Sequence, residues 1–159
     1  MHPNVERVTA AAGEAGLEIS VLRFPEGTRT ADEAARAIGC SLAQIVKSLV
    51  FVADDRPLLV LASGANRVDM TRLAAAAGAS ATRRATGDEA RAIGGYAIGG
   101  VPPFGHAQVL TVLIDRDLLR HEVLWAAAGL PDAVFAIAPA DLVRASGGRI
   151  EDLAERAPA

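Results

Sequence analysis

The chain has 159 residues, of which 51% are hydrophobic and 22% are charged, and its formal net charge is −3 at pH 7. This length and apolar content fit one domain over residues 1–159 and exclude a disordered chain. No stretch reaches the roughly eighteen uninterrupted apolar residues of a membrane span, and the first residues do not resemble a signal peptide. The single cysteine, Cys40, excludes an internal disulfide and a multi-cysteine zinc site. We therefore expect a soluble, cytoplasmic protein.

Apolar periodicity, capping residues and glycines divide the first half of the chain into short elements. The predicted elements are a helix over 5–15, a strand over 17–24, a helix over 30–38, and two strands over 45–52 and 57–62. Thr30 and Glu33 form a capping-box pattern at the start of the second helix. Asp54-Asp55-Arg56 between the last two strands predicts a hairpin.

The second half continues in the same way. Its predicted elements are helices over 69–77 and 86–94, a strand over 109–115, two strands over 123–128 and 133–138, a helix over 139–144, and a short final helix after Gly148. The segment 96–106 is too rich in glycine and proline for regular structure. Strands grouped in hairpins with helices between them predict an α+β domain around an antiparallel or mixed sheet.

Lys47 is the only lysine among sixteen basic residues, the rest of which are arginines. It lies in an apolar strand, where an unpaired charge is costly. One interpretation is a pocket lysine that binds an anion or polarises a carbonyl. The other is a lysine on an edge strand that extends to solvent and discourages aggregation.

The loop that ends at His106 contains paired glycines and the prolines Pro102 and Pro103. Glycines let backbone N–H groups approach a ligand closely, and such groups can bind an oxyanion or a phosphate. His106 adds a group that titrates near neutral pH. The alternative is a rigid connection between a helix and a strand. No Gly-Lys-Ser/Thr follows, so nucleotide triphosphate hydrolysis is not predicted.

Other candidate residues give weaker signals. Cys40 follows a helix end and reads as a small, half-buried residue, and the three histidines lack metal-ligand spacing. Asp115 ends a strand, where its carboxylate could fix a pocket lysine or could be a solvated turn charge. Arg67 could contact a phosphate or lie on the surface. No serine–histidine–aspartate pattern is visible.

Taken together, four segments resemble the YbaK family, also called the prolyl-tRNA synthetase-associated editing domain. They are the lysine strand Ile45-Val-Lys-Ser-Leu-Val-Phe51, the turn and helix over 63–73, the loop Gly95-Tyr-Ala-Ile-Gly-Gly-Val-Pro-Pro-Phe-Gly-His106, and the late hairpin over 126–137. They occur in the order and at the spacing of the family and cover nearly the whole chain. The lysine strand combined with the Gly-Gly-x-x-Pro loop is the specific part of this resemblance.

The resemblance implies a mixed, largely antiparallel, barrel-like sheet surrounded by helices, and a hydrolase that removes a wrong small amino acid such as cysteine, alanine or serine from tRNA, with tRNA for proline as the expected substrate. It assigns catalytic roles to Lys47, Gly99, Gly100 and His106. It implies substrate binding by Val101, Pro102, Pro103, Phe104, Asp115, Gly129 and Arg67. The substrate's own ribose hydroxyl or side-chain thiol is expected to assist, which fits the absence of a visible triad. An aminoacyl ester is already activated, so positioning and an oxyanion donor carry most of the catalysis.

Two other functions stay open on the sequence. One is a binding module for tRNA ends or nucleotides that partners a synthetase without turnover. The other is a small-molecule hydrolase or transferase, which would need a nucleophile that the sequence does not reveal. For the editing hydrolase, the expected partners are the tRNA acceptor end and prolyl-tRNA synthetase. We expect no cofactor, metal or membrane, and a monomer or weak dimer.

Overall fold

The computed structural model describes residues 1–24 and 30–156. The helices within those residues are α1 (Pro3–Glu14), α2 (Ala31–Ile38), α3 (Met70–Ala77), α4 (Gly87–Gly94) and α5 (Pro139–Ser146). Two 3-10 turns, Leu42–Gln44 and Arg116–Arg120, were not predicted. None of the described helices is long and apolar enough to cross a membrane.

Side-chain caps explain where three helices begin. The hydroxyls of Thr30 and Thr86 accept hydrogen bonds from the backbone N–H groups three residues later, at 3.2 and 3.1 Å. The carboxylate of Asp69 accepts from the first turn of α3. Each cap satisfies N–H groups that have no partner inside the helix. The capping patterns therefore predicted these starts correctly.

The strands form two sheets. They are β1 (Val21–Arg23), β2 (Val46–Ala53), β3 (Arg56–Ser63), β4 (Thr82–Arg84), β5 (Thr111–Asp115), β6 (Leu124–Ala127), β7 (Ala133–Ile137) and β8 (Arg149–Glu151). The larger sheet has the order β4-β2-β3-β5-β8, and the smaller has the order β1-β7-β6. Four pairings are antiparallel, while β3–β5 and β5–β8 are parallel. The predicted mixed, largely antiparallel sheet with surrounding helices is confirmed.

The two sheets remain open and do not close into a barrel. They approach each other where Ile45, just before β2, bridges Trp125 on β6 in parallel register. Residues of β2 and β6 next to this bridge line the cavity in which the candidate site lies.

The hairpin β2–β3 places alternate residues on opposite faces of the larger sheet. Val46 and Val50 face a core that includes Phe135 and Leu124, whereas Phe51 faces a second core that includes Leu73 of α3. Lys47 pairs with Ala62 of β3 and lies on the same face as Phe51. Both faces of the sheet are therefore covered, which explains the nearly continuous apolar sequence of these strands.

The structure corrects the predicted end of the chain. Residues 149–151 form β8 instead of a helix, because Ile150 pairs in parallel with Ile114 of β5. The first strand is also shorter than predicted, since only Val21–Arg23 pairs with β7. Residues 157–159, in the predicted final helix, lie outside the described residues.

Candidate active site

A cavity of about 200 Å³ lies along the uncovered edge of β2. Strand β4 pairs only with Phe51–Ala53, so the first part of β2 has no neighbouring strand on this side. The walls come from β2, β4, β6, β7, helices α2 and α4, and the loop that follows α4. The lining residues are Thr30, Ala31, Ala34, Val46, Lys47, Ser48, Leu49, Val50, Arg84, Ala85, Ala90, Ile98, Gly99, Val101, Trp125, Ala126, Ala127, Pro131 and Val134.

The strand edge brings polar groups to this mostly apolar cavity. Ile45 O accepts from Gly64 N on the β3 side at 2.7 Å, whereas Val50 O accepts from Ala85 N on the other side at 3.0 Å. Because backbone groups alternate in direction along an antiparallel strand, the N–H and C=O of Ser48 point toward the cavity. The Ser48 hydroxyl is buried and has no hydrogen-bond partner among the described residues.

Lys47 is half-buried and is held by the turn after β3. Its Nζ donates to the backbone carbonyl of Asn66 at 2.7 Å. Loss of solvation lowers the pKa of the Lys47 ammonium below its ordinary value, the nearby Arg84 lowers it further, and Asp115 acts in the opposite direction. The ammonium has three N–H groups, so two remain to bind an anionic or carbonyl oxygen.

Asn66 is itself fixed by two buried carboxylates. Its side-chain amide donates to Asp115 at 2.9 Å and to Asp117 at 2.8 Å. Asp115 also accepts from the backbone N–H of Ser63 at 3.1 Å, which ties the turn to β5. Arg156 donates to Asp117 at 2.8 Å, and this hydrogen bond is the main cause that lowers the pKa of Asp117 to about 2. Asp115 therefore lies near Lys47 and supports the turn that holds the lysine side chain.

The glycine-proline loop has fewer free donors than its length suggests. Gly100 N donates to Ala97 O at 3.0 Å within the turn, and prolines have no N–H group. The N–H groups of Gly99 and Val101 have no hydrogen-bond partner among the described residues, and both residues line the cavity. The N–H of Ile98, another lining residue, also lacks a partner among the described residues, so the loop can offer three donors to a bound oxygen.

Close backbone packing against the β6–β7 turn holds the loop in place. A β-carbon on Gly100 would lie 2.9 Å from the Cα of Leu130, and one on Gly129 would lie 2.9 Å from Asn4 O. Gly129 has a φ of 97°, and its carbonyl accepts from the Asn4 side chain at 3.0 Å. The start of α1 thus supports the β6–β7 turn, which in turn supports the loop. Gly129 therefore supports the loop through the β6–β7 turn and does not line the cavity.

Most residues of the predicted site do not line the cavity; besides the three described next, these are Gly100, Pro102, Asp115, Gly129 and Arg67. Pro103, Phe104 and His106 line a separate open groove between α1 and the start of β5. Pro102 is buried, and its carbonyl is 2.8 Å from Nε2 of His106. The structure brings together Lys47, Gly99 and Val101 around the cavity, and the roles of all the predicted residues stay predictions.

Arg84 is a cavity residue that the sequence analysis missed. It is paired with Phe51 in register on β4, and its guanidinium lies 5.5 Å from the centre of the Phe51 ring. Arg84 and Arg67 both lower the pKa of Lys47, so both cations lie near it, but only Lys47 and Arg84 line the cavity. Neither arginine forms an ion pair with a described carboxylate, unlike the adjacent Arg83, which pairs with Glu89 at 2.7 Å. The adjacent arginines before a capping box were the only sequence signal for Arg84.

Cys40 lies outside the cavity. It packs beside the small cluster formed by Ala34, Ala35 and Ile45, and partial burial raises the pKa of its thiol. A thiol with a raised pKa is a poor nucleophile at neutral pH. No histidine, cysteine or carboxylate among the described residues lines the cavity.

The fold and site thus define a small α+β domain whose cavity combines one lysine, free backbone donors and one arginine without a described carboxylate partner, and whose described lining residues include no histidine, cysteine or carboxylate. The family model of the aminoacyl-tRNA editing domain matches residues 25–145. The chain belongs to this aminoacyl-tRNA editing domain family, and membership supports an editing function.

Individual relatives agree with the family assignment. A crystal structure of a candidate trans-editing enzyme for prolyl tRNA synthetase superposes with a TM-score of 0.92 and is 42% identical, covering 98% of this chain and 99% of the other. The uncharacterized protein YwhH of Bacillus subtilis is 31% identical over 134 residues, 84% of this chain and 85% of YwhH. The proline–tRNA ligase of Limosilactobacillus fermentum is 32% identical over 97 residues, 58% of this chain but only 17% of the ligase. The chain therefore matches only a small part of the ligase.

Proposed function

We propose that this protein hydrolyses the ester bond of mischarged aminoacyl-tRNA, releasing a small amino acid, with tRNA for proline as the carrier. The observation that carries the proposal is the placement of Lys47 and the free N–H groups of Gly99 and Val101 around one small cavity. Family membership supports the same reaction class.

The shape of the cavity fits an aminoacyl group with a small side chain. Alanines from three elements and from the segment between β4 and α4 form much of its wall, among them Ala31 of α2 and Ala126 of β6. An apolar pocket discriminates against larger side chains by excluding them, whereas one methylene more or less changes binding by only about 1–3 kcal/mol. A volume of about 200 Å³ leaves room for alanine, cysteine or serine attached to part of the terminal ribose.

The cations at and near the cavity fit the nucleic acid part of the substrate. Arg67 and Arg84 are exposed and have no described carboxylate partner, so they are free to contact phosphates of the acceptor end. Lys47, held by Asn66, can contact the terminal nucleotide or the ester carbonyl. The net charge of −3 is compatible with a protein that contacts only the end of a tRNA.

The proposed reaction needs no covalent enzyme intermediate. A water oxygen attacks the ester carbonyl carbon, and the N–H groups of Gly99 and Val101 stabilise the negative charge that develops on the carbonyl oxygen. The bond from the carbonyl carbon to the ribose oxygen then breaks, the ribose oxygen takes a proton, and the free amino acid leaves. A neighbouring ribose hydroxyl or a substrate thiol relays the proton, since no protein base lines the cavity among the described residues.

The lack of a protein base among the described lining residues favours a second candidate, a module that binds the tRNA end without turnover and partners prolyl-tRNA synthetase. Binding would use the cations and the cavity as they stand. It would not need the free donors of the loop.

A panel of mischarged tRNAs separates the two candidates. Alanine, cysteine and serine are each attached to tRNA for proline, alanine is also attached to its own tRNA, and correctly charged prolyl-tRNA serves as the control. The hydrolase hypothesis predicts that the wild type releases one or more small amino acids and that Lys47→Ala does not release them. If the protein binds the same tRNAs but releases no amino acid from any of them, the result would contradict the hydrolase hypothesis and support the binding module.

A further inference from the structure

The imidazole of His106 occupies a fixed position between the loop and helix α4. Its Nε2 lies 2.8 Å from Pro102 O, and Tyr96 packs against the ring edge-on with centroids 5.5 Å apart. The Tyr96 hydroxyl donates to Gly105 O at 2.5 Å, which closes the loop on the other side of the ring. These contacts fix the ring against the loop, and His106 lines the open groove instead of the cavity.

The tautomer of the ring follows from its two neighbours. A carbonyl oxygen can only accept, so Nε2 must carry the proton and donate to Pro102 O. Nδ1 is buried and has no hydrogen-bond partner in the described parts of the chain, and a β-carbon on Gly94 would lie 2.5 Å from it. A proton on Nδ1 would therefore be a buried donor without an acceptor, which is costly. Burial also lowers the pKa of His106 and favours the neutral ring.

The carbonyl that His106 holds controls the part of the loop that faces the cavity. The rings of Pro102 and Pro103 fix their φ angles, and a following proline also restricts Val101 and Pro102 to extended conformations. The hydrogen bond from His106 anchors the carbonyl of the Pro102–Pro103 peptide within this restricted stretch. Because the ψ of Val101 and the φ of Pro102 are both restricted, holding this carbonyl also limits the orientation of the preceding backbone at Val101, whose N–H is one of the free donors at the cavity.

We infer that His106 is a positioning residue, whose neutral imidazole donates from Nε2 to Pro102 O and so holds the Gly99–Pro103 loop in its donor-presenting conformation. The inference rests on the proposed hydrolase function for its kinetic consequence. It assigns no contact with the substrate to His106, in contrast to the catalytic role expected from the sequence. It also explains why α4 ends with a residue that has no side chain.

Three variants test this role. His106→Ala removes the donor, His106→Gln keeps an amide N–H near the position of Nε2, and His121→Ala is a control at a histidine outside both the cavity and the groove. We expect kcat for the preferred ester to fall roughly tenfold to a hundredfold in His106→Ala, with a smaller change in KM, because a displaced donor weakens transition-state binding. We expect His106→Gln to recover to within about threefold of the wild type, and His121→Ala to behave as the wild type.

A general acid or base cannot be replaced by an amide, so equal damage in His106→Gln and His106→Ala would overturn the inference. Full activity of a folded His106→Ala would overturn it as well. A readout independent of turnover is the imidazole ¹H–¹⁵N NMR spectrum of the wild type at pH 7, for which we expect the neutral Nε2–H tautomer. An Nδ1–H tautomer or an imidazolium would contradict the inference. If the wild type hydrolyses no ester, the proposed function fails while the tautomer measurement still decides the role of His106.

Discussion

The Lys47 ammonium donates to the backbone carbonyl of Asn66 at 2.7 Å, although 19 residues separate them in the chain. Asn66 is in turn held by two buried carboxylates, Asp115 at the end of β5 and Asp117 in the 3-10 turn that follows. The position of Lys47 thus depends on a turn, an amide and two carboxylates that never reach the cavity. A lysine side chain alone has four rotatable bonds, so this support restricts where its charge lies.

Loss of the Asn66 amide is expected to disturb this support. In Asn66→Ala the backbone acceptor for Lys47 remains, but two buried carboxylates each lose a donor, so we expect a stability loss of about 1–3 kcal/mol by urea unfolding. Asn66→Asp replaces the donor by a third acidic group and should be more damaging. Deacylation should fall in both variants. An Asn66→Ala protein with the stability and the rate of the wild type would contradict this account.

Gly100 is expected to tolerate no side chain. A β-carbon there would lie 2.9 Å from the backbone of Leu130, so Gly100→Ala must displace the loop or the β6–β7 turn. We expect about 1–3 kcal/mol of destabilisation, with a lower deacylation rate.

Gly13 on α1 provides the matched control, because nothing lies within 4 Å of its added β-carbon. Gly13→Ala should stabilise the protein by about 0.5–1 kcal/mol, the usual gain for this change inside a helix. Similar effects of both substitutions in thermal unfolding would show that the loop has no close backbone contact.

Arg84 is expected to contribute to tRNA affinity through a phosphate. Arg84→Gln should weaken binding of the acceptor end about tenfold at low salt and reduce the salt dependence of the binding constant by about one phosphate contact. Arg56→Gln, at the turn end of the β2–β3 hairpin, is the control. Fluorescence anisotropy of a labelled acceptor-stem RNA over a salt series measures both quantities. Equal salt slopes for wild type and Arg84→Gln would remove Arg84 from the interface.

The activity is expected to fall at alkaline pH. The pKa of Lys47 is lower in the folded protein than for a free lysine, chiefly because of lost solvation. A contribution that requires the ammonium is therefore present at neutral pH and is lost as pH rises through this lowered pKa. Rates of ester hydrolysis, corrected for the spontaneous reaction, should show this decline at a lower pH than an ordinary lysine would give. An alkaline limb that persists unchanged in Lys47→Arg would assign it to another group.

Local signals in the sequence predicted the parts of the fold that local interactions determine. Thr86 and Glu89 form the capping box that their spacing predicts, and the polar turn Asp54-Asp55-Arg56 between two apolar segments predicts the β2–β3 hairpin. Ile150 was assigned to a helix because its strand exists only by pairing with β5, 36 residues earlier at Ile114. A pairing at that distance leaves no local pattern.

The site was predictable to a similar degree. Lys47 and the glycine-proline loop were identified from residue type and resemblance, and Lys47, Gly99 and Val101 line one cavity. The three-residue strand β4 was too short to recognise, so Arg84 was missed. The use of the Gly100 N–H within its own turn, and the position of His106 behind the loop, depend on tertiary packing that residue identity does not encode.

The most direct measurement of the central claim is single-turnover deacylation of a small aminoacyl ester on tRNA for proline, with enzyme in excess, comparing the wild type with Lys47→Met. Lys47→Met keeps most of the apolar stem and removes the charge, and its fold is checked by circular dichroism and urea unfolding. The account predicts release of the amino acid by the wild type and a rate roughly a hundredfold lower in a folded Lys47→Met. An unchanged rate in that folded variant would contradict the claim that Lys47 and the loop together form the hydrolytic site.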